Sequence, residues 1–447
     1  MHLHVSIIMS KTKYGHLSWG QGESKSLLVV ASLQQTLSMF AGLVMVPLII
    51  VRAIGADAES QRQIVTMAIL VSGISTCLQC GHLPFLGSGY LLMMGSSSMF
   101  IAPSIMAGKM GGLAMVFGMT MAMAPVEIIL SPFARHLKKI APPVVIGVIV
   151  TLLACAVMPV SLKQFGGGYG PDYGTWRHIC LGFFTIACIL AAQYSPWRPL
   201  RTGSIVFGLV IGYVVSHFMG MASYDAVAKA AWLGCPKPFW YGMPDFSFEL
   251  MLPFGIAYVL TTLETYGDIH AIAMVSNDGK PVKVENERVA GGLLADGLGS
   301  LLAGLGGTTA NTTFSGNIAI AQMSGVTNHA VGFQVAVMLV LLSFLPKLSA
   351  LISAMPAAVL GGSMLVAAAY FLNVGLTMIV KSVKKSNDLL VAAVGLTAGL
   401  SVQMVPDISC QALPWLKSLL SSSVCVGAVA AMIAVPIVSL LGEDDKI

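Results

Sequence analysis

The chain has 447 residues, of which 56% are hydrophobic and 10% are charged. Ordinary soluble domains carry about 25% charged residues, so this composition excludes a water-soluble globule. The formal net charge is +5, but the basic residues lie between apolar runs, and we expect no nucleic-acid partner. The sequence therefore predicts a protein embedded in a lipid bilayer.

Apolar runs follow one another from residue 27 to residue 441 and are separated by short polar turns. A full crossing takes about 20 residues, and several of the runs are shorter, so we count about fourteen spans. The predicted fold class is an all-α, polytopic membrane protein. This pattern is typical of a transporter or a channel and not of a single-pass anchor.

The N-terminal segment, residues 1–26, has no apolar region followed by a cleavage site and is not expected to be a signal peptide. If both termini are cytoplasmic, most Lys and Arg residues fall on the cytoplasmic side, as the positive-inside rule favours. We therefore expect a multi-pass protein of a bacterial inner membrane, with residues 1–26 as a cytoplasmic tail.

Two short polar segments precede half-length apolar runs, residues 95–98 in the third span and residues 311–317 in the tenth. Ser, Thr and Gly favour helix poorly, so both segments should be extended. Non-helical backbone at membrane depth is tolerated where it lines a cavity or is buried in protein. Matched positions in two halves predict an inverted-repeat transporter with a central binding site. Helix packing through small residues is the alternative interpretation.

Glu264 and Asp268 lie four residues apart in the predicted eighth span, residues 253–274. Side chains at i and i+4 share one face of a helix. Each carboxylate would cost roughly 2.5–3.5 kcal/mol in hydrocarbon, so this face should point at a polar cavity. We interpret both residues as candidate binding residues. The alternative is that the helix reaches the headgroups and that Asp268 is solvated.

Glu127 lies in the predicted fourth span, about two helical turns before Arg135. Long basic side chains near the end of a span reach the membrane interface. We therefore interpret these two residues as an interfacial ion pair without a role in transport.

Motifs of enzymes and of ATP-driven pumps are not found. The chain lacks a Walker-type phosphate loop, and its nine histidines are dispersed without an HExxH motif. We expect no cofactor, no catalytic residue and no metal ligand.

Six segments, in chain order, resemble landmarks of the nucleobase–ascorbate transporter family (nucleobase:cation symporter-2), which includes the uracil and xanthine permeases. They are residues 33–42 (Leu-Gln-Gln-Thr-Leu-Ser-Met-Phe-Ala-Gly), 142–147 (Pro-Pro-Val-Val-Ile-Gly), 264–268 (Glu-Thr-Tyr-Gly-Asp), 295–297 (Ala-Asp-Gly), 311–319 (Asn-Thr-Thr-Phe-Ser-Gly-Asn-Ile-Ala) and 356–362 (Pro-Ala-Ala-Val-Leu-Gly-Gly). The resemblance runs through nearly the whole chain.

The resemblance implies fourteen spans in two inverted seven-span repeats, with short extended segments in spans 3 and 10. A core domain would comprise spans 1–4 (residues 27–134) and spans 8–11 (residues 251–345). A gate domain would comprise spans 5–7 (residues 142–221) and spans 12–14 (residues 356–441). The gate domain would also support a homodimer.

The resemblance further implies that the substrate lies between the two extended segments and that Glu264 accepts hydrogen bonds from the ring N–H groups of a nucleobase. Asp296 would be a supporting, proton-linked acid. The function implied is proton-coupled symport of a nucleobase-like small molecule, a purine, pyrimidine or urate, with sodium as the alternative coupling ion. The implied substrate-binding residues are Gln35, Ser96, Ser97, Ser98, Glu264, Asp268, Ser315, Gly316 and Asn317.

Two alternatives remain open. The same fold also serves small anions and organic acids, but Glu264, Asp268 and Asp296 have no Lys or Arg beside them in sequence, which disfavours an anion site. An integral membrane enzyme is the least favoured class, since no nucleophile–base constellation is found.

The chain departs from the family pattern at several positions, two of which bear directly on the ligand. Gly316 stands where the family usually has Gln or Glu, and Gln35 stands where it usually has His. A site without these two side chains could accept a bulkier or differently substituted ring, or a ligand that is not a nucleobase. The sequence therefore leaves the substrate open.

Overall fold

The computed structural model describes residues 25–81, 83–133, 142–168, 172–197, 200–201, 204–222, 224–277, 282–383, 386–405, 420 and 423–441. Within these ranges, eight helices are long and apolar enough to cross a membrane, and one further candidate is a pair of helices bent by 87°. The expectation of a mostly helical protein with many apolar helices is confirmed.

The first part of the described chain contains eight helices and one strand. They are α1 (Lys25–Ala53), α2 (Ala58–Cys80), β1 (Met94–Ser96), α3 (Ile101–Met123), α4 (Pro125–Leu130), α5 (Pro143–Phe165), α6 (Trp176–Gln193), α7 (Ser204–Phe218) and α8 (Asp225–Lys229). Short 3₁₀-helices precede α3 and follow α4, at Ser98–Phe100 and Ser131–Phe133.

The second part of the described chain also contains long helices and one short strand. Its elements are α9 (Met251–Ser276), α10 (Asn286–Gly306), β2 (Asn311–Thr313), α11 (Ser315–Ser324), α12 (His329–Ser343), α13 (Pro346–Ser353), α14 (Ala357–Ser382), α15 (Ser386–Met404) and α16 (Ser423–Leu441). A 3₁₀-helix, Phe248–Leu250, leads into α9.

A break inside α3 separates the half-helix after β1 from the next apolar run. Gly111 has φ −143° and ψ 23°, and Gly112 has φ 66° and ψ −159°. The positive φ of Gly112 is readily adopted only by a residue without a Cβ. The predicted third and fourth spans are therefore two helical segments joined at this glycine pair.

The two extended segments pair with each other as a two-stranded antiparallel sheet. Met94 lies opposite Thr313, and Ser96 lies opposite Asn311. Beyond these pairs, Ser97 N–H donates to the Ala310 carbonyl at 2.8 Å. Pairing of the strands satisfies backbone groups that would otherwise be unpaired at membrane depth.

The extended backbone is shorter than expected. Strand geometry is confirmed for residues 94–96 and 311–313, but Ser98 begins a 3₁₀-helix and Ser315, Gly316 and Asn317 form the first turn of α11. Propensity alone misjudged these residues because Ser and Gly are also well accepted at helix N-termini, where Ser can cap and Gly adds little strain.

Close packing fixes α1 against the sheet. A Cβ at Gly95 would lie 2.6 Å from Cζ of Phe314, which is closer than real Cβ contacts come, whereas a Cβ at Gly42 would lie 3.6 Å from the same atom. The Phe314 ring therefore fills the space between α1 and β1, and a side chain at position 95 would have to displace it.

The helices pack in two sets. In one set, α10 contacts α2, α3, α4 and α9, and α1 contacts α2, α11 and α12. In the other set, α5 contacts α14, α15 and α16, and α6 contacts α7 and α14. Small residues allow these close approaches: a Cβ at Gly375 would lie 2.4 Å from Thr151 Oγ1.

Candidate functional site

Asp268 is buried inside the protein near the middle of the candidate site. Its exposed fraction is 7%, and α9 continues for two further turns, to Ser276. The alternative interpretation, in which Asp268 is solvated at a helix end, is therefore wrong. The helix extends past the predicted end of the span because residues 269–276 continue the same apolar pattern.

Asp268 connects α9 to the second extended segment. Its Oδ2 accepts hydrogen bonds from Thr313 Oγ1 at 2.6 Å and from Ser315 Oγ at 3.0 Å. Hydrogen bonds to a carboxylate are roughly twice as strong as those between neutral groups. Asp268 therefore positions the end of β2 and the first residue of α11.

Asp296 forms a second anchor for β2. It is fully buried on α10 and accepts a hydrogen bond from Thr265 Oγ1. Thr312 Oγ1 lies 3.5 Å from the same carboxylate oxygen. Thr265 also contacts Thr313, with 3.1 Å between their hydroxyl oxygens. The acids on α9 and α10 are thus joined by threonine hydroxyls.

Sequence reasoning missed these threonines. Thr265 directly follows Glu264, and Thr312 and Thr313 occupy the extended segment. Their role could have been predicted, because buried carboxylates need hydrogen-bond donors and these hydroxyl side chains lie close in sequence to intramembrane acids or in the extended segment.

Glu264 differs from the other acids because its carboxylate has no hydrogen bond or ion pair within the described chain. The side chain is half-buried on α9, one turn before Asp268, and it interacts electrostatically with Asp268 and Asp296. An acceptor held among other acids without a donor is available to a ligand that brings its own N–H groups.

The start of α11 is exposed next to these acids. Ser315 and Gly316 are both exposed, and their backbone N–H groups have no acceptor in the described chain. A Cβ at Gly316 would meet nothing within 4 Å, and its φ is not positive. The first turn of a helix leaves such N–H groups free to bind acceptor groups of a ligand.

Gln35 and Asn317, two predicted binding residues, hold each other. Asn317 Nδ2 donates to Gln35 Oε1 at 2.6 Å and to the Gln35 carbonyl at 3.1 Å. Gln35 Nε2 donates to the Asn317 carbonyl at 3.2 Å. In this structure, both carboxamides therefore position α11 against α1.

Ser96 and Ser97 are buried, and their hydroxyl oxygens have no hydrogen-bond partner in the described chain. Ser98 is half-buried. Phe100, two residues after Ser98, is fully buried, with its ring centroid 4.6 Å from that of Tyr258 in an edge arrangement. The serines leave unused polar groups, whereas the Phe100 ring is occupied by packing.

The interpretation of Glu127 as a member of an interfacial ion pair is wrong. Its side chain is fully buried, and Thr262 Oγ1 donates to its Oε1 at 3.3 Å. Arg135 lies outside the described residues. The prediction failed because tertiary packing buries the Glu127 side chain against α9 and α10, away from the helix end.

The fold matches those of known membrane transporters. The transmembrane domain of the cyanobacterial bicarbonate transporter BicA aligns with a TM-score of 0.57 at 13% identity, covering 91% of this chain and 97% of that one. The murine anion transporter Slc26a9 aligns with a TM-score of 0.65 at 10% identity, covering 94% of this chain and 69% of that one. These similarities show the fold, which is that of an integral, multi-pass membrane protein.

Sequence comparison narrows this class. The model of the permease family matches residues 26–408. The xanthine permease XanP of Escherichia coli (strain K12) is 32% identical over 418 residues, covering 90% of each chain. The xanthine permease of Bacillus subtilis (strain 168) is 29% identical over 430 residues, covering 96% of each. The chain belongs to this permease family, the nucleobase–ascorbate transporters, so the resemblance is confirmed and the chain is a transporter, not an enzyme.

Proposed function

We propose that the chain is a secondary active transporter of a nucleobase-like heterocycle, with an oxidised purine such as xanthine as the first candidate. The observation that carries this proposal is the Glu264 carboxylate, which has no partner in the described chain and shares a helix face with Asp268. The edge of an oxidised purine presents N–H donors beside carbonyl acceptors. Glu264 would accept from the ring N–H groups, and the free N–H groups of Ser315 and Gly316 would donate to the carbonyl oxygens.

The names of the relatives support the same ligand class, since XanP and the protein of B. subtilis are both called xanthine permeases. The remaining predicted binding residues divide into two roles. Ser96, Ser97 and Ser98 would line the site opposite α11, whereas Gln35 and Asn317 would hold α11 in place.

We propose fourteen spans in two inverted seven-span repeats. Support comes from the order of elements: α1, α2 and β1 open the first part, and α9, α10 and β2 open the second. In both parts the strand is followed by a half-length helical segment. The antiparallel pairing of β1 with β2 is what a two-fold axis between such repeats would produce.

The two sets of packed helices support the proposed division into a core domain (residues 27–134 and 251–345) and a gate domain (residues 142–221 and 356–441). Alternating access would then move the core domain, with its site, against the gate domain. We further propose that two chains associate through their gate domains, in a bacterial inner membrane, with both termini cytoplasmic.

Proton coupling is proposed over sodium coupling. Glu264, Asp268 and Asp296 all lie at membrane depth, where a carboxylate avoids the penalty of an unpaired charge by binding a proton. Uptake of the substrate with a proton would neutralise part of this charge during the crossing.

The proposal is tested with purified protein in proteoliposomes and a panel of labelled bases: xanthine, uric acid, hypoxanthine, uracil and adenine. We expect saturable xanthine uptake that rises when the outside is acidic, and no stimulation by an inward sodium gradient. If no base is transported and none raises the thermal stability of the detergent-solubilised protein, the nucleobase assignment is wrong.

An anion carrier is the second candidate, because the structural neighbours are named as bicarbonate and anion transporters and α11 presents free N–H groups. Four acids create a negative field around the site, which disfavours an anionic substrate. They are Glu127, Glu264, Asp268 and Asp296. Labelled bicarbonate and sulfate belong in the same panel, and their uptake in place of any base would favour this candidate.

A further inference from the structure

Two buried carboxylates lie next to the candidate site. One of them, that of Glu127, has no role in the transport proposed so far. Glu127 on α4 and Asp296 on α10 are both 0% exposed. A Cβ at Gly297 would lie 3.4 Å from Glu127 Cβ, so the two helices approach each other closely at this level. The two acids are therefore enclosed between α4, α9 and α10.

Each acid has one oxygen with a donor and one without. Glu127 Oε1 accepts from Thr262, and Asp296 Oδ2 accepts from Thr265. The remaining oxygens, Glu127 Oε2 and Asp296 Oδ1, are buried and have no donor in the described chain. The two side chains also interact electrostatically with each other.

Ionised carboxylates only accept hydrogen bonds, so two of them can form a hydrogen bond with each other only when one carries a proton. The titratable groups that face the pair, Tyr258, Glu264 and Asp268, all lie on α9, and no described basic residue is among its partners. Two like charges in such a place cannot both persist, as in other buried carboxylate pairs.

We propose that Glu127 and Asp296 form a proton-binding carboxylate pair, distinct from Glu264, that holds one proton between its two orphaned oxygens and releases it during transport. The inference rests on the proposed transport function and adds a residue to it. The step is a simple ionisation that requires the movement of the core domain to admit water to the pair: the proton passes to that water, the charge of the now hydrated pair changes from −1 to −2, and no other bond breaks.

The pair is connected to the substrate site. Thr265 bonds Asp296 and contacts Thr313, and Thr313 bonds Asp268, which in turn holds Ser315 at the exposed start of α11. A change in charge at the pair is therefore transmitted to the residue that begins the binding turn. Glu127 touches no proposed substrate group and acts through Asp296.

The first test is independent of transport. Infrared spectra of the purified full-length protein at neutral pH should contain the carbonyl stretch of a protonated, buried carboxyl group. In Glu127→Gln, the amide can donate to Asp296 in place of the proton, so the intensity of this band should fall by the contribution of one carboxyl group, whereas Glu127→Asp should retain it. Exposed Glu249, in the 3₁₀-helix before α9, supplies the control: Glu249→Gln should leave this band unchanged. Identical spectra for wild type and Glu127→Gln would overturn the proposal.

The second test separates coupling from substrate movement. In proteoliposomes, Glu127→Gln should lose xanthine accumulation driven by a pH gradient while exchange of labelled for unlabelled xanthine continues. Accumulation equal to that of wild type, with the same pH profile, would overturn the proposal, as would parallel loss of exchange and accumulation, which indicates a purely structural role. If wild type itself exchanges no xanthine, the proposed function fails, and the infrared result still decides the pair.

Discussion

The carboxamides of Gln35 and Asn317 bind each other across α1 and α11, with 2.6 Å between Asn317 Nδ2 and Gln35 Oε1. Both side chains are buried, at 2% and 5% exposure. Gln35 was expected to contact the ligand from α1. It instead holds α11, the helix whose first turn borders the site.

Removing one member of this pair should leave the other amide buried and unpaired. We expect Asn317→Ala and Gln35→Ala each to destabilise the protein by about 1–3 kcal/mol. The double variant should be less destabilised than the sum of the two, with a coupling of about 0.5–3 kcal/mol. Thermal denaturation in detergent measures this cycle, with Gln63→Ala on α2 as an unrelated amide control. Additive effects would contradict the pairing.

Glu264→Gln should abolish or severely weaken transport while folded protein remains in the membrane. The amide keeps the shape but loses the charge, and a hydrogen bond to a charged group is worth roughly 1.5–3 kcal/mol. That loss corresponds to about one to two decades of affinity. Because the Glu264 carboxylate has no partner within the described chain, stability should change little. Labelled-base uptake and thermal stability are compared with those of Glu249→Gln, and wild-type uptake in Glu264→Gln would remove the central role of this residue.

Gly316→Gln and Gly316→Glu should change which bases are accepted more than they change the amount of folded protein. A side chain at this position enters open space, and the backbone needs no positive φ. Either side chain would fill volume beside the ligand and add a directed acceptor. Competition of unlabelled bases against labelled uptake measures the profile. Gly316→Ala, which adds volume without an acceptor, is the matched control, and an unchanged profile in well-folded variants would place Gly316 outside the site.

Gly95→Ala should destabilise the protein by about 1–3 kcal/mol, because the new methyl group would overlap the Phe314 ring and force it to move. Gly42→Ala approaches the same ring at an ordinary contact distance of 3.6 Å and should be tolerated. Replacing the ring by a smaller side chain, Phe314→Leu, should partly rescue Gly95→Ala. Thermal denaturation distinguishes these variants, and equal stability of the two alanine variants would show that the ring does not constrain position 95.

The long helices and the acidic face were predictable because both depend on local sequence. The apolar runs of α1 and α5 are long enough to require helix in a bilayer, and the spacing of Glu264 and Asp268 on α9 fixes a common face whatever surrounds it. The positions of the two irregular segments were equally accessible, since Ser, Thr and Gly stand out against apolar neighbours.

Partners across the fold were not predictable in the same way. The pairing of Met94 with Thr313 depends on how two distant parts of the chain pack, and the local sequence carries no register for it. The same limit explains Glu127, whose distance from Arg135 along the chain suggested an ion pair while tertiary packing buried it beside Asp296. A single sequence shows which polar groups need partners but not which partners they find.

The pairing of β1 with β2 also constrains how the protein can be made. Ser96 and Asn311 lie opposite each other although more than two hundred positions separate them in the chain. A ribosome that adds about 5–20 residues per second needs on the order of 10–40 seconds to bridge that interval. During this time the backbone groups of β1 lack their partners in a solvent that cannot replace them. The emerging first half must therefore stay shielded, by the insertion machinery or by temporary contacts among its own helices, until β2 is synthesised and the two strands pair.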